Sequence, residues 1–153
     1  MVGGSKLEAL MDIEQITDAR IVPFLLEVLA DQREPAEVRI HVLKRVRNGG
    51  LRAESRAPVA EAILRVLSDR SSADLRLQAV LALAEFTDID GVLATLGGLA
   101  LNRNESIDVR YSAFTSLQRA GATPDSVAVL RQLSEDDTLG RSARGVLVSW
   151  QLK

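Results

Sequence analysis

The chain has no cysteine among its 153 residues. That absence excludes disulfides, thiolate metal sites and a cysteine nucleophile, and it fits a reducing compartment. Histidine is almost missing as well, since His41 stands alone. One imidazole without thiolates does not assemble a typical transition-metal site. A Ser-His-Asp set would need His41 beside a serine and a carboxylate, and nothing in the sequence selects one. His41 therefore reads as a surface residue. Aromatic residues are only 3%, so the core must be filled by Leu, Val, Ala and Ile, as in stacks of small helices. No apolar run reaches the roughly 18 residues of a membrane span. The opening MVGGSKLEAL has no signal-peptide core, and the expected location is cytoplasmic. Net charge is −2, which gives no global pull towards nucleic acid or an anionic membrane. Residues 1–5 read as a flexible lead-in and residues 6–153 as a single domain.

What the chain does have is helical periodicity. Apolar residues at three- and four-residue spacing predict a first helix over Lys6–Ile16 and a second over Ala19–Ala30, with Pro23 in its first turn. A third follows Pro35 through Val38, Val42 and Val46 and stops at Gly49-Gly50. A fourth covers Ala53–Leu67. The fifth starts at Ser71-Ser72, where Ser71 and Asp74 resemble a capping box, and ends at Thr87-Asp88. The remaining helices are expected over Ile89–Leu101, Ser106–Ala120, Asp125–Leu133 and Thr138–Leu152. Gly97-Gly98 inside the sixth implies a weak helix or a close approach of backbone. No segment alternates in the manner of a strand.

The stretch Asp69–Leu83, DRSSADLRLQAVLAL, recurs along the chain. Lys6, Arg39, Arg76 and Arg110 are in register, with Gly140 standing in the last copy. Three residues on lie Ala9, Val42, Ala79, Ala113 and Ala143, and seven on lie Ile13, Val46, Leu83, Leu117 and Leu147. The steps are 33, 37, 34 and 30 residues. A helical period in the thirties means a solenoid, because one repeat cannot bury its own apolar faces but neighbours can. The fold expected is all-α, an α-solenoid of about nine helices in four and a half helix-turn-helix repeats.

The segments LADQREPAEVRIHVLKRV, LSDRSSADLRLQAVLAL and LALNRNESIDVRYSAFTSL resemble the HEAT repeat, in the short HEAT-like form found in bilin lyases and many prokaryotic proteins. The likeness runs from Lys6 to Leu152, with Asn102 in place of a turn aspartate and no arginine in the last copy. The resemblance implies that turn aspartates and helix-start arginines pair within and between repeats. Asp31, Arg39, Asp69, Arg76 and Arg110 are the residues expected to form that structural ladder. It also implies that the second helix of each repeat lines the concave side.

Residues two, six and nine past the ladder position share the outward face of that second helix. The stripe is Glu8, Asp12 and Gln15, then His41, Arg45 and Asn48, then Gln78, Ala82 and Glu85, then Ser112, Ser116 and Arg119. It is polar, with few bulky anchors, and suits a polypeptide more than a small apolar ligand. The leading expectation is a non-catalytic scaffold whose partner protein contacts His41, Arg45, Asn48, Gln78, Glu85, Ser112, Ser116 and Arg119. No cofactor is expected: Gly3-Gly4, Gly49-Gly50 and Gly97-Gly98 lack the context of a phosphate loop. Glu135-Asp136-Asp137 reads as solvated turn charge rather than a calcium loop. Two alternatives stand beside the scaffold. One is an accessory or enzymatic subunit of bilin-lyase type. The other is a nucleic-acid binder using the block Arg39–Arg56, six basic residues against one acidic, which follows an acidic block over Lys6–Glu37. The final helix is unusually apolar, and Val146 and Trp150 are candidates for self-association.

Overall fold

The computed structural model describes residues 21–47, 51–70 and 72–151. All regular structure among them is helical, with no strand. The helices are α1 (Ile21–Ala30), α2 (Ala36–Arg47), α3 (Ala53–Val66), α4 (Ala73–Leu83), α5 (Val92–Leu101), α6 (Ile107–Ala120), α7 (Pro124–Leu133) and α8 (Gly140–Ser149). A single 3-10 turn, Ala84–Phe86, extends α4. The helix expected over Lys6–Ile16 and the Gly49-Gly50 stop lie outside the described residues, as does the lead-in over 1–5.

Local chemistry sets the helix ends. Ser106 caps α6 by accepting from the Val109 N–H, and Thr123 caps α7 by accepting from Ser126. The cap of α4 is Ser72, which accepts from the Leu75 N–H at 3.1 Å. The expected box from Ser71 is therefore out of step by one residue, because the helix starts at Ala73. Helix α5 starts at Val92, not Ile89, since Gly91 sits at φ 89°, outside right-handed helix space.

The chain divides into two compact units, the first closing at Ile89 and the second opening at Asp90. In the first unit α1 packs on α3, and α2 packs on α4, giving a layer of first helices and a layer of second helices. In the second unit α5 and α7 form the first-helix layer, with α6 packed on α5 and α8 packed on α7. This is the helix-pair architecture of an α-solenoid.

The sequence register shows up as burial. Val42, Ala79, Ala113 and Ala143 are fully buried, and Val46, Leu83, Leu117 and Leu147 are buried four residues later. Burying each leucine stabilises by about 1.5–3 kcal/mol. The small residue three positions on leaves room for the neighbouring helix. Gly97 of α5 has the same purpose in sharper form: a Cβ there would lie 2.7 Å from Cγ2 of Val129 on α7. Gly98, beside it, faces open space.

Candidate functional site

The helix-start arginines are the first candidates, and geometry makes them structural. Arg39, Arg76 and Arg110 are all buried. Arg39 donates from Nε at 3.1 Å and Nη2 at 2.7 Å to the Leu29 carbonyl, and from Nη1 at 2.7 Å to Asp69. Arg110 repeats the pattern, with Nε 3.0 Å from the Ala100 carbonyl and Nη2 2.5 Å from Asp136. Arg76 donates from Nε to the Leu67 carbonyl at 3.0 Å. These carbonyls end the preceding helices and lack intrahelical donors. A guanidinium fits there because it is a planar fork and because it complements the helix dipole. Asp31 accepts from the backbone N–H and Nε of Arg33 within its own turn.

Two ladder elements were not legible in the sequence. Asp136, read as solvated turn charge, is the partner of Arg110 and is itself largely buried. It accepts from the N–H groups of Leu139 at 2.9 Å and Thr138 at 2.8 Å. Those bonds, with the Arg110 guanidinium, hold its carboxyl down at about 2. Arg144 is the other. The last copy has Gly140 at the ladder position, where a Cβ would meet the Ser134 carbonyl at 2.8 Å. Arg144, one turn later, donates to that same Ser134 carbonyl at 2.5 Å. The arginine missing from the register is thus replaced from the next turn.

The predicted partner stripe is only partly an open face. Glu85 and Arg119 are exposed, whereas His41, Arg45, Gln78 and Ser112 are half-buried. Asn48 lies outside the described residues, with Glu8, Asp12 and Gln15. Ser116 corrects the expectation: it is 3% exposed and turns its hydroxyl back to the Ser112 carbonyl. Ala82, its counterpart in α4, is fully buried. The reason is angular. At about 100° per residue, the sixth position lies only about 60° from the buried third position.

The basic block is largely absorbed inside the first unit. Arg39 belongs to the ladder, Arg47 donates to Gln78 at 3.3 Å, and Arg56 donates to Asp88 at 2.5 Å and to the Glu85 carbonyl at 2.8 Å. The Arg56 guanidinium also lies 4.9 Å from the centroid of the Phe86 ring. Its hydrogen bond holds the Asp88 carboxyl below the ordinary range. Lys44 and Arg52 are exposed. A phosphate backbone needs a row of basic groups on one face, and few of this block are left for one. Among the described residues no three His, Asp or Glu side chains gather as a metal site would require. No described helix is long and apolar enough to cross a membrane.

Surface grooves among the described residues include two between neighbouring helices. One, of about 450 Å³, lies between α1 and α3 and is lined by Pro23, Leu26, Ala30, Pro58, Ala62 and the charged Glu27, Glu61 and Arg65. The other, of about 350 Å³, lies between the second helices α6 and α8. Its walls are Tyr111, Phe114 and Gln118 on α6, and Ser142, Gly145, Val146 and Ser149 on α8. Among the described residues the exposed large hydrophobics are Ile107 at 50%, Tyr111 at 55% and Val148 at 71%, all on α6 and α8. Val146, expected to serve self-association, is instead buried, and Trp150 is half-buried. Carrying the two, six, nine register into the last helix yields Ser142, Val146 and Ser149, so half of this groove was available to the sequence reading. Tyr111 and Gly145 fall outside that register.

No curated protein and no solved structure matches the chain. The family described as HEAT repeats matches residues 60–147. That span is more than half of the chain and covers α4 to α7 with the flanking halves of their neighbours, and with the helix pairs seen here it shows that the chain belongs to the HEAT repeat family.

Proposed function

We propose that the chain is a non-catalytic scaffold that holds a partner protein through its second helices. HEAT repeats commonly mediate protein–protein interaction, and one observation carries the reading here. The exposed large apolar side chains of the described residues all stand on second helices. Solvated apolar side chains gathered on one layer mark an interaction surface, where lone ones do not. Ser112 and Arg119 are polar residues of the same unit, and His41, Arg45, Gln78 and Glu85 stand on the second helices of the first unit. The same reading assigns the work to the cytoplasm, on the lack of cysteine.

Affinity capture with the intact chain, followed by mass spectrometry, tests it. Charge reversal at Arg45 and at Arg119 is expected to weaken capture while far-UV circular dichroism stays unchanged. Capture unaffected by both reversals would move the site off the second helices. Turnover of a bound chromophore would replace the scaffold with the bilin-lyase alternative.

A further inference from the structure

We infer that the groove between α1 and α3 is a docking slot for a lysine-bearing segment of a partner protein, with the lysine stem along its apolar lining and the ammonium between Glu27 and Glu61. The slot belongs to the first helices of the first unit, so it goes beyond the second-helix reading and can fail independently of it.

The ladder supplies a register between the two units. The carbonyls of Leu29 and Ala100 receive Arg39 and Arg110, which aligns α1 with α5. Asp69 and Asp136 receive the same two arginines, which aligns α3 with α7. In that register Leu26 corresponds to Gly97 and Ala62 to Val129. The second unit shuts its seam there, because Gly97 is buried with the Val129 side chain against it. The first unit has leucine in place of that glycine and alanine in place of that valine, and its seam stays open as a groove of about 450 Å³. Pro23, Leu26, Pro58 and Ala62 give it an apolar lining.

The same register singles out the charges. Glu27 and Glu61 line the groove from opposite helices, where the second unit has Gly98 and Ala128. Both are exposed, and neither has an ion-pair partner among the described residues. Glu54, one turn before Pro58 on the same side of α3, is a third exposed carboxylate. Most neighbouring cations are engaged elsewhere. Arg33 is bonded to Asp31, Arg56 is bonded to Asp88 and the Glu85 carbonyl, and Arg70 has an interaction of its own. Arg52 precedes Glu61 by about 13 Å of helix rise, more than the Debye length of about 8 Å at physiological salt. Arg65 is the one cation of the lining and follows Glu61 by one turn, towards the C-terminal end of α3. The middle of the slot is therefore acidic. Lysine matches it, with four methylenes for the apolar lining and a compact head for the carboxylates. Two carboxylates from different helices suit three rotatable donors better than the planar fork of arginine.

The test uses the full chain and three short fluorescein-labelled peptides that differ only in a central residue between two leucines. Lysine is the first, norleucine keeps the stem without the charge, and diaminopropionate keeps the charge on a one-carbon stem. Anisotropy should show binding of the lysine peptide, weakening with added salt, and at least about tenfold weaker binding of the other two. Amide resonances of Leu26 and Ala62 should shift on saturation, and those of their counterparts Gly97 and Val129 should not. Glu27→Gln combined with Glu61→Gln should cut affinity about tenfold, and Arg65→Glu should raise it. These side chains are exposed, so the melting curves should match wild type. Equal binding of the norleucine or the diaminopropionate peptide overturns the slot, as does an affinity indifferent to the two glutamine substitutions. No binding of the lysine peptide by the wild type also overturns it, and so do resonance shifts confined to α6 and α8.

Discussion

Adjacent glycines in α5 should respond in opposite directions to the same substitution. In a helix interior, glycine to alanine gains about 0.5–1 kcal/mol by restricting the unfolded backbone. Gly98 is exposed and has no atom within 4 Å of its missing Cβ, so Gly98→Ala should realise that gain in full. For a chain of this size the melting temperature should rise by about 2–4 °C per kcal/mol. Gly97 is buried, and its added Cβ would sit 2.7 Å from Cγ2 of Val129. Ordinary carbon contacts are about 3.5–4.0 Å, so roughly an ångström must be found. Val129 is poorly placed to yield it, because a β-branched side chain on a helix has one strongly preferred rotamer. Overpacking of this kind costs about 1–3 kcal/mol, which offsets the propensity gain and leaves Gly97→Ala destabilised by up to about 2 kcal/mol. The measurement is urea and thermal unfolding of both variants, with Val129→Ala and the Gly97→Ala/Val129→Ala double variant completing a cycle. Relief of the clash should appear as a favourable coupling of about 1–3 kcal/mol. If Gly97→Ala stabilises as much as Gly98→Ala, or if the coupling is zero, α5 and α7 do not meet in the way described.

Other outcomes follow from the ladder and the caps. Arg110→Ala should cost about 1–3 kcal/mol, since it takes the donor from the Ala100 carbonyl and the nearer cation from Asp136 while Arg103 stays 3.7 Å from that carboxylate; equilibrium denaturation reads it directly. The Asp136 pKa is depressed to about 2 in the folded chain, so its contribution is complete above the ordinary carboxylate value near 4 and is lost as pH falls from there towards 2. Allowing for solvent screening, that loss is on the order of 1–2 kcal/mol, and Asp136→Asn should flatten this part of the stability–pH curve. Ser106→Ala should destabilise by about 1 kcal/mol through loss of the cap on α6, visible as faster amide exchange in its first turn. Gly140→Ala should be among the costlier glycine replacements, because its Cβ would press on the Ser134 carbonyl, a backbone atom that cannot swing away; a melting temperature equal to wild type would refute that.

The sequence was most legible where one residue has one physical job. An apolar residue and arginine followed three positions later by Val or Ala marked the starts of α2, α4 and α6, because burial and carbonyl capping act on neighbouring residues of one helix. The turn partners were harder. Asp69 lies 7 residues before the ladder position at Arg76, but Asp136 lies only 4 before the one at Gly140, and a shortened turn defeats counting. The rescue by Arg144 was invisible for the same reason, since a substitute from the next turn leaves no trace in the register. The partner face was legible as a layer and misjudged in detail. Ser116 was assigned outward although its angle brings it near the core side. The groove between α6 and α8 runs beside Gly145, and a glycine in a helix pattern gives no hint of the space around it.

The ladder bears on how such a chain changes length. Arg39 and Arg110 each reach back to a carbonyl ten residues earlier and forward to a carboxylate, Asp69 for the one and Asp136 for the other. A deletion or duplication whose two cuts fall at equivalent positions of successive copies sets each arginine again nine or ten residues after a helix-ending carbonyl. Cuts at inequivalent positions break that spacing and leave charged groups in the interior without their partners. The block that recombination can move without penalty is therefore one whole period, counted from any position to its equivalent in the next copy.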